Sequence, residues 1–167
     1  MANLIGCVSK TSNDALKAEN AILKSRITTL VYNSYKSNDS SIQFSYPATW
    51  VRQDTSQIVP FFVSANGVAN VGITKEILPQ TMTSDVYFAA LNKQLQSQGC
   101  ILCGTRQISA GSTSGIQAVY LNKQLLQVFV VVAKGNTAWS LIETAKSDEF
   151  IDWAQTFTEI AHSFKVQ

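Results

Sequence analysis

"LLQVFVVVAKGNTAWSLIETA", Leu125 to Ala145, is the stretch on which the fold turns. It holds two apolar runs, and "VFVVVA" from Val128 to Ala133 has the length of a strand. A membrane-spanning helix would need roughly 18 consecutive apolar residues. Lys134-Gly135-Asn136 separates the runs, and a connection this short joins only antiparallel neighbours. The same pattern extends upstream, where Ile101–Ala110 and Gly115–Asn122 are strand-like runs linked through "GSTS". Four consecutive antiparallel strands are therefore expected.

Downstream lies "SDEFIDWAQTFTEIAHSF", residues 147–164, with a helical period. Ser147 is the expected cap, Asp148 and Glu149 suit the positive end, and Phe150, Trp153, Phe157, Ile160 and Phe164 make one broad apolar face. Such a face must lie on the sheet. A second helix is expected after Thr83 or Ser84, with Asp85 in its first turn, Gly99 as terminator and Tyr87, Leu91 and Leu95 on one face. Before it, Ile42, Phe44 and Tyr46 alternate with Ser41, Gln43 and Ser45 in a strand that Pro47 stops. "QIVPFFVSA" and "VGITKEIL" read as a hairpin through Asn66-Gly67, and Pro79 ends it. The fold class is α+β: an antiparallel, twisted sheet with two helices packed on it, preceded by an N-terminal helical tail.

The tail covers residues 1–40 and the domain residues 41–167. Within the tail, Leu16, Leu23 and Leu30 recur every seven residues, with Asn13, Asn20 and Ile27 at the complementary spacing. The pattern fits a short coiled coil or a single amphipathic helix. In either case Leu16, Leu23, Ile27 and Leu30 are candidate partner-docking positions, and self-association is one use of them. "NSYKSNDSS", Asn33 to Ser41, has the composition of a linker.

Composition narrows the function. With 167 residues and 46% apolar content, the chain closes one core. A net charge of +2 with no basic block gives no electrostatic footprint for nucleic acid. Three cysteines and one histidine give no metal-ligand spacing, so neither metal nor cofactor is expected. His162 ends a helix, no serine sits in a nucleophile-elbow context, and "SAGSTSG" lacks the lysine of a phosphate loop. The chain is read as non-enzymatic.

Two cysteine motifs stand out. "LIGC" ending at Cys7 fits the box at which bacterial lipoprotein precursors are cut and lipidated, although "MANLI" lacks a basic and apolar leader. The lipid reading expects a precursor extending beyond Met1; the alternative is a free cysteine in a tail. "GCILCG" contains a C-x-x-C pair, Cys100 and Cys103. Redox sites of this type place the first cysteine at a helix N-terminus, whereas this pair follows a helix end. A fully extended segment would hold the two Cα atoms about 10 Å apart, beyond the roughly 7 Å a disulfide spans. The flanking glycines could close that gap, so buried thiols and a local disulfide both stand open.

"FSYPATW", Phe44 to Trp50, resembles the opening strand and tryptophan turn of the PsbP-like fold, the superfamily of PsbP, DcrB and the type VI effector chaperones. "VGITKEILPQTMTSDVYFAALNKQL" resembles its strand, proline loop and first helix, "GIQAVYL" its small-residue hairpin, and "FIDWAQTFTEIAHSF" its closing helix with the Ser-Phe ending. The family often has a glycine before the turn tryptophan, where this chain has Ala48-Thr49. The resemblance covers residues 41–165 and implies no shared catalytic residues. It implies protein partners at or near membranes; joined to the lipid reading of Cys7, the expectation is a non-enzymatic accessory or assembly factor, exported and lipid-anchored as a subunit of a membrane-associated complex on the periplasmic, lumenal or extracellular side. The alternative it offers is a soluble cytoplasmic chaperone or adaptor.

Overall fold

The computed structural model describes residues 30–54 and 60–167. In chain order these form β1 (Tyr32–Lys36), β2 (Ile42–Pro47), β3 (Val51–Arg52), β4 (Phe61–Val63), β5 (Ala69–Ile77), α1 (Ser84–Ser97), β6 (Ile101–Ala110), β7 (Thr113–Asn122), β8 (Leu125–Lys134), β9 (Thr137–Lys146), α2 (Phe150–Ser163) and β10 (Lys165–Val166). A seven-stranded antiparallel sheet runs β3-β4-β5-β9-β8-β7-β6, and a three-stranded sheet runs β1-β2-β10. This is the expected α+β arrangement.

β8 shows why its sequence is apolar without alternation. Val130 and Val132 face the core shared with the small sheet and α2, while Phe129 and Val131 face α1 through Tyr87, Phe88, Leu91 and Leu95. The strand is covered on both sides, so every position from Leu126 has to shed water except Gln127 and Lys134. α2 lies beside the small sheet on one face of the large sheet, and α1 lies on the other.

Both helix ends follow from local chemistry. Thr83 Oγ1 accepts the Val86 N–H, so Thr83 caps α1, while Ser84 is buried with its Oγ donating to Ser114 O at 2.7 Å and accepting from Ala133 N–H at 3.0 Å. At the far end Cys100 N–H donates to Leu95 O and Gly99 N–H to Gln96 O, with Gly99 at φ +87°. That pairing closes a helix with the reversal only a left-handed residue permits.

Two sequence expectations change. The stretch expected as linker contains β1, which pairs along its whole length with β2 from Tyr32↔Pro47 to Lys36↔Gln43. Its polar residues point outward while Tyr32 and Tyr35 pack against the core, so the sheet begins ahead of Ser41. Ser147 is not the cap of α2. Residues 147–149 form a turn, the helix starts at Phe150, and Glu149 precedes it without a side-chain capping bond. The expected tail helix lies outside the described residues, apart from Leu30 and Val31, which carry no regular structure.

Candidate functional site

The two sheets end side by side. β1 is the outer strand of the small sheet and β3 the outer strand of the large one, and a cleft of about 570 Å³ opens beside them. Its aromatic wall comes from alternate strand positions. Tyr46 of β2 stacks on Phe62 of β4 with ring centroids 3.8 Å apart, and Tyr35 of β1 sits 6.0 Å from Phe62 at 72° and 5.4 Å from Phe44. Arg52 of β3 holds its guanidinium 5.5 Å from the Tyr35 ring centre.

The acidic groups around this wall are already paired. Arg52 Nε donates to both oxygens of Asp54, at 2.9 and 2.8 Å, and Asp54 Oδ1 also accepts the Phe61 N–H at 3.0 Å. The Arg52 contact holds the Asp54 carboxyl below its ordinary value and raises the guanidinium. Asp39, in the turn between β1 and β2, accepts from Ser37 Oγ, Lys75 Nζ and Ser41 Oγ, which together keep its carboxyl well below the carboxylate range. Burial pushes the Tyr35 phenol up. The cleft thus presents flat rings and oriented polar groups, with Lys36 in its lining as a charge that no ion pair takes up among the described residues. It can take an apolar or aromatic group flanked by hydrogen-bonding backbone.

The residues singled out from sequence do not converge here. Cys7, Leu16, Leu23 and Ile27 lie outside the described residues, and Leu30 is exposed just ahead of β1. Cys100 is a buried free thiol packed with α1, so the local disulfide with Cys103 does not form. Cys103 is half-buried at a bulge where the β6–β7 register skips from Leu102 to Gly104. Cys100 stands at the carboxyl end of α1, the opposite end from the one that activates C-x-x-C thiols. His162 is exposed beside Arg106–Ser109, in a second hollow of about 330 Å³. Among the described residues no three acidic, histidine or cysteine side chains gather as a metal site, and no helix is long and apolar enough to cross a membrane. Sequence reading missed the cleft because its parts come from four separated strands. The one local signal was Tyr35, inside an otherwise polar segment.

Neither a family model nor a curated protein matches the chain in sequence. Solved structures match it in shape. The solution structure of cyanobacterial PsbP (CyanoP) from Synechocystis aligns with a TM-score of 0.64 at 14% identity, covering 85% of this chain and 96% of that one. LpqN of Mycobacterium tuberculosis, described as involved in cell envelope biogenesis, aligns at 0.58 and 15%, covering 85% and 94%. The Saccharomyces cerevisiae Ran-binding protein Mog1p aligns at 0.56 and 9%, covering 83% and 96%. The chain has the PsbP-like fold.

Proposed function

We propose that this chain is a non-enzymatic protein-binding module that serves as an accessory or assembly factor, with the cleft between the two sheet edges as its contact site. The observation that carries this reading is the character of the cleft: an aromatic wall of Tyr35, Tyr46 and Phe62 beside two outer strands, its carboxylates satisfied internally. Outer strands offer main-chain hydrogen bonds to an added peptide, and aromatic walls take its side chains. A Ran-binding protein among the structural neighbours supports the same use.

In the finer form of the proposal the chain is exported and lipid-anchored at Cys7, and the tail presents Leu16, Leu23, Ile27 and Leu30 to a membrane-associated complex. LpqN, involved in cell envelope biogenesis, is the neighbour that favours this setting over a cytoplasmic adaptor. Photo-crosslinking in the native cell tests the contact site. A photoreactive residue at Ser34 beside the cleft should trap a protein partner, and the same residue at Lys93 on α1 should not. Equal trapping at both positions, or none at Ser34, sinks the assignment. Intact-mass analysis of the membrane fraction tests the anchor. An acylated chain starting at Cys7 supports it. A disulfide through Cys7 overturns it, because a thioether-linked sulfur cannot also join a disulfide.

A further inference from the structure

Positions 139, 141, 143 and 145 of β9 point to one face of the large sheet, since strand side chains alternate. Trp139, Leu141 and Ala145 join the core covered by α2 and the small sheet. Glu143 fills the remaining place. Across the sheet it stands between Val71 of β5 and Val128 of β8, both buried. Its side chain is 0% exposed, and neither carboxyl oxygen has a hydrogen-bond partner.

No charged group faces it from any packed element. The residues α2 sets on this core are Phe150, Trp153, Phe157, Ile160 and Ala161, while its charged Asp152, Glu159 and His162 are exposed. On the strands, Lys75 and Glu76 are exposed at the Trp139 end of β5, Lys134 ends β8, and Lys146 ends β9, all at the surface. In the small sheet Lys36 and Lys165 are likewise exposed. Burial alone raises the Glu143 carboxyl well above its usual 4.5. The neutral acid is therefore the form that this core accepts, because an isolated carboxylate in an apolar interior is far costlier than a neutral polar group.

We propose that Glu143 is a proton-operated latch on α2: protonated, it lets the helix lie down on the sheet, and ionised, it lifts the helix's amino-terminal half so that water reaches the carboxylate. The strands cannot supply that opening. β9 is the fourth of seven strands and is hydrogen-bonded along its length to β5 and β8. α2 is held mainly by side-chain packing: ahead of it the turn is pinned where Ser147 N–H donates to Gln124 O, which leaves a pivot there, and its own most extensive attachments are at its carboxyl end. There Ser163 Oγ accepts the Ser45 N–H, Phe164 is fully buried, and β10 pairs with β2. The start at Glu149 has no side-chain cap, and lifting it breaks the largely exposed Lys146–Glu149 ion pair, 3.6 Å, and the edge-to-face contact of Trp50 with Trp153, 5.7 Å.

The sign follows from linkage. A carboxyl whose pKa is raised on folding leaves stability unaffected below its unfolded value and weakens the closed form as pH rises from there towards the folded value. Hydrogen exchange of the α2 amides, corrected for intrinsic rates and measured between pH 5 and pH 9, is the test. Protection of residues 150–157 should fall with pH by up to about tenfold per unit, the most that one proton can supply, while β8 and β9 stay protected. In Glu143→Gln the fall should vanish. Equal loosening of β8 and β9, protection independent of pH in the native chain, or an unchanged fall in the Gln variant overturns the latch. The native chain gives a second readout that needs no variant. The carboxyl carbon resonance of Glu143 must titrate with the same midpoint as the loss of protection, and differing midpoints overturn the proposal.

Discussion

The Ser45 backbone N–H donates to Ser163 Oγ at 2.7 Å, joining β2 to the last turn of a helix 118 residues later in the chain. The same hydroxyl donates its proton to Ile160 O at 2.7 Å, so it bridges the helix and the strand. This gives the Ser-Phe ending of the closing helix a physical reason: the serine ties the helix to the small sheet, and Phe164 fills the core beside it.

Ser163→Ala should cost about 1–2 kcal/mol, because it strands a half-buried N–H and removes the hydroxyl together. Chemical denaturation with an unchanged slope and a lower midpoint would register it. A midpoint equal to the native one would mean that Ser45 finds another acceptor.

Gly115 and Gly104 should respond differently to alanine. A Cβ at Gly115 would lie 2.8 Å from Val131 O and 2.8 Å from Val132 Cγ2, and a backbone oxygen inside a sheet cannot step aside. At Gly104 the same atom meets nothing within 4 Å. Gly115→Ala should destabilise by about 1–3 kcal/mol, as overpacking in cores does, with Gly104→Ala within about 0.5 kcal/mol of native. Thermal melts of the two variants side by side make the comparison.

A chain beginning at residue 30 should fold cooperatively and be clearly more stable than one beginning at residue 39. The shorter chain lacks β1 and with it Tyr35, whose ring lies against Phe44 and Phe62. Loss of two part-buried aromatics and a strand should exceed about 2 kcal/mol. Equal melting temperatures would return the boundary to Ser41.

These cases separate what the sequence carries from what it hides. The strands β5 to β9 and both helices were legible, because each is a periodic or continuously apolar stretch of nine or more residues bounded by turn residues. Gly67, Gly99 and Gly135 stand at positive φ where the turns were read. β1 was hidden because an outer strand with polar outward residues has the composition of a linker. The cap of α2 was misplaced because Ser147 is drawn into a turn, its N–H donating to Gln124 O. The cleft was illegible because no local pattern encodes which strands become neighbours. Glu143 looked like an ordinary polar position of an alternating strand, and only the second layer makes it a buried one.

Alkaline pH should weaken the fold through its buried phenols, two above all. Burial is the main cause that pushes Tyr87 and Tyr120 up to about 12, with the Glu76 carboxylate reinforcing it at Tyr87, whose hydroxyl donates to Glu76 Oε2 at 2.8 Å. Their folded values lie above the ordinary 10, so stability falls as pH climbs from 10 towards 12. Absorbance of ionised phenol should show tyrosines titrating later than the ordinary phenol in the folded chain, with the latest step, of two phenols, halved in Tyr87→Phe. Titration of every tyrosine near pH 10 before unfolding would contradict it.

The placing of β5 beside β9 also governs how the chain behaves while it is being made. β6 to β9 are successive hairpins and can pair as they emerge, but β5 must wait for a partner whose register with it begins at Ala69↔Ala145. Pairings so distant along the chain are slow to close. Until β9 arrives, the flank of "VFVVVA" is open, and that run is of the composition that self-assembles into fibrils when left exposed. A chain arrested before Thr137 should therefore aggregate, whereas one arrested after Lys146 has the strand's neighbours on both sides. The long apolar strand that makes the finished domain solid makes the half-built one dependent on quick completion or on a chaperone.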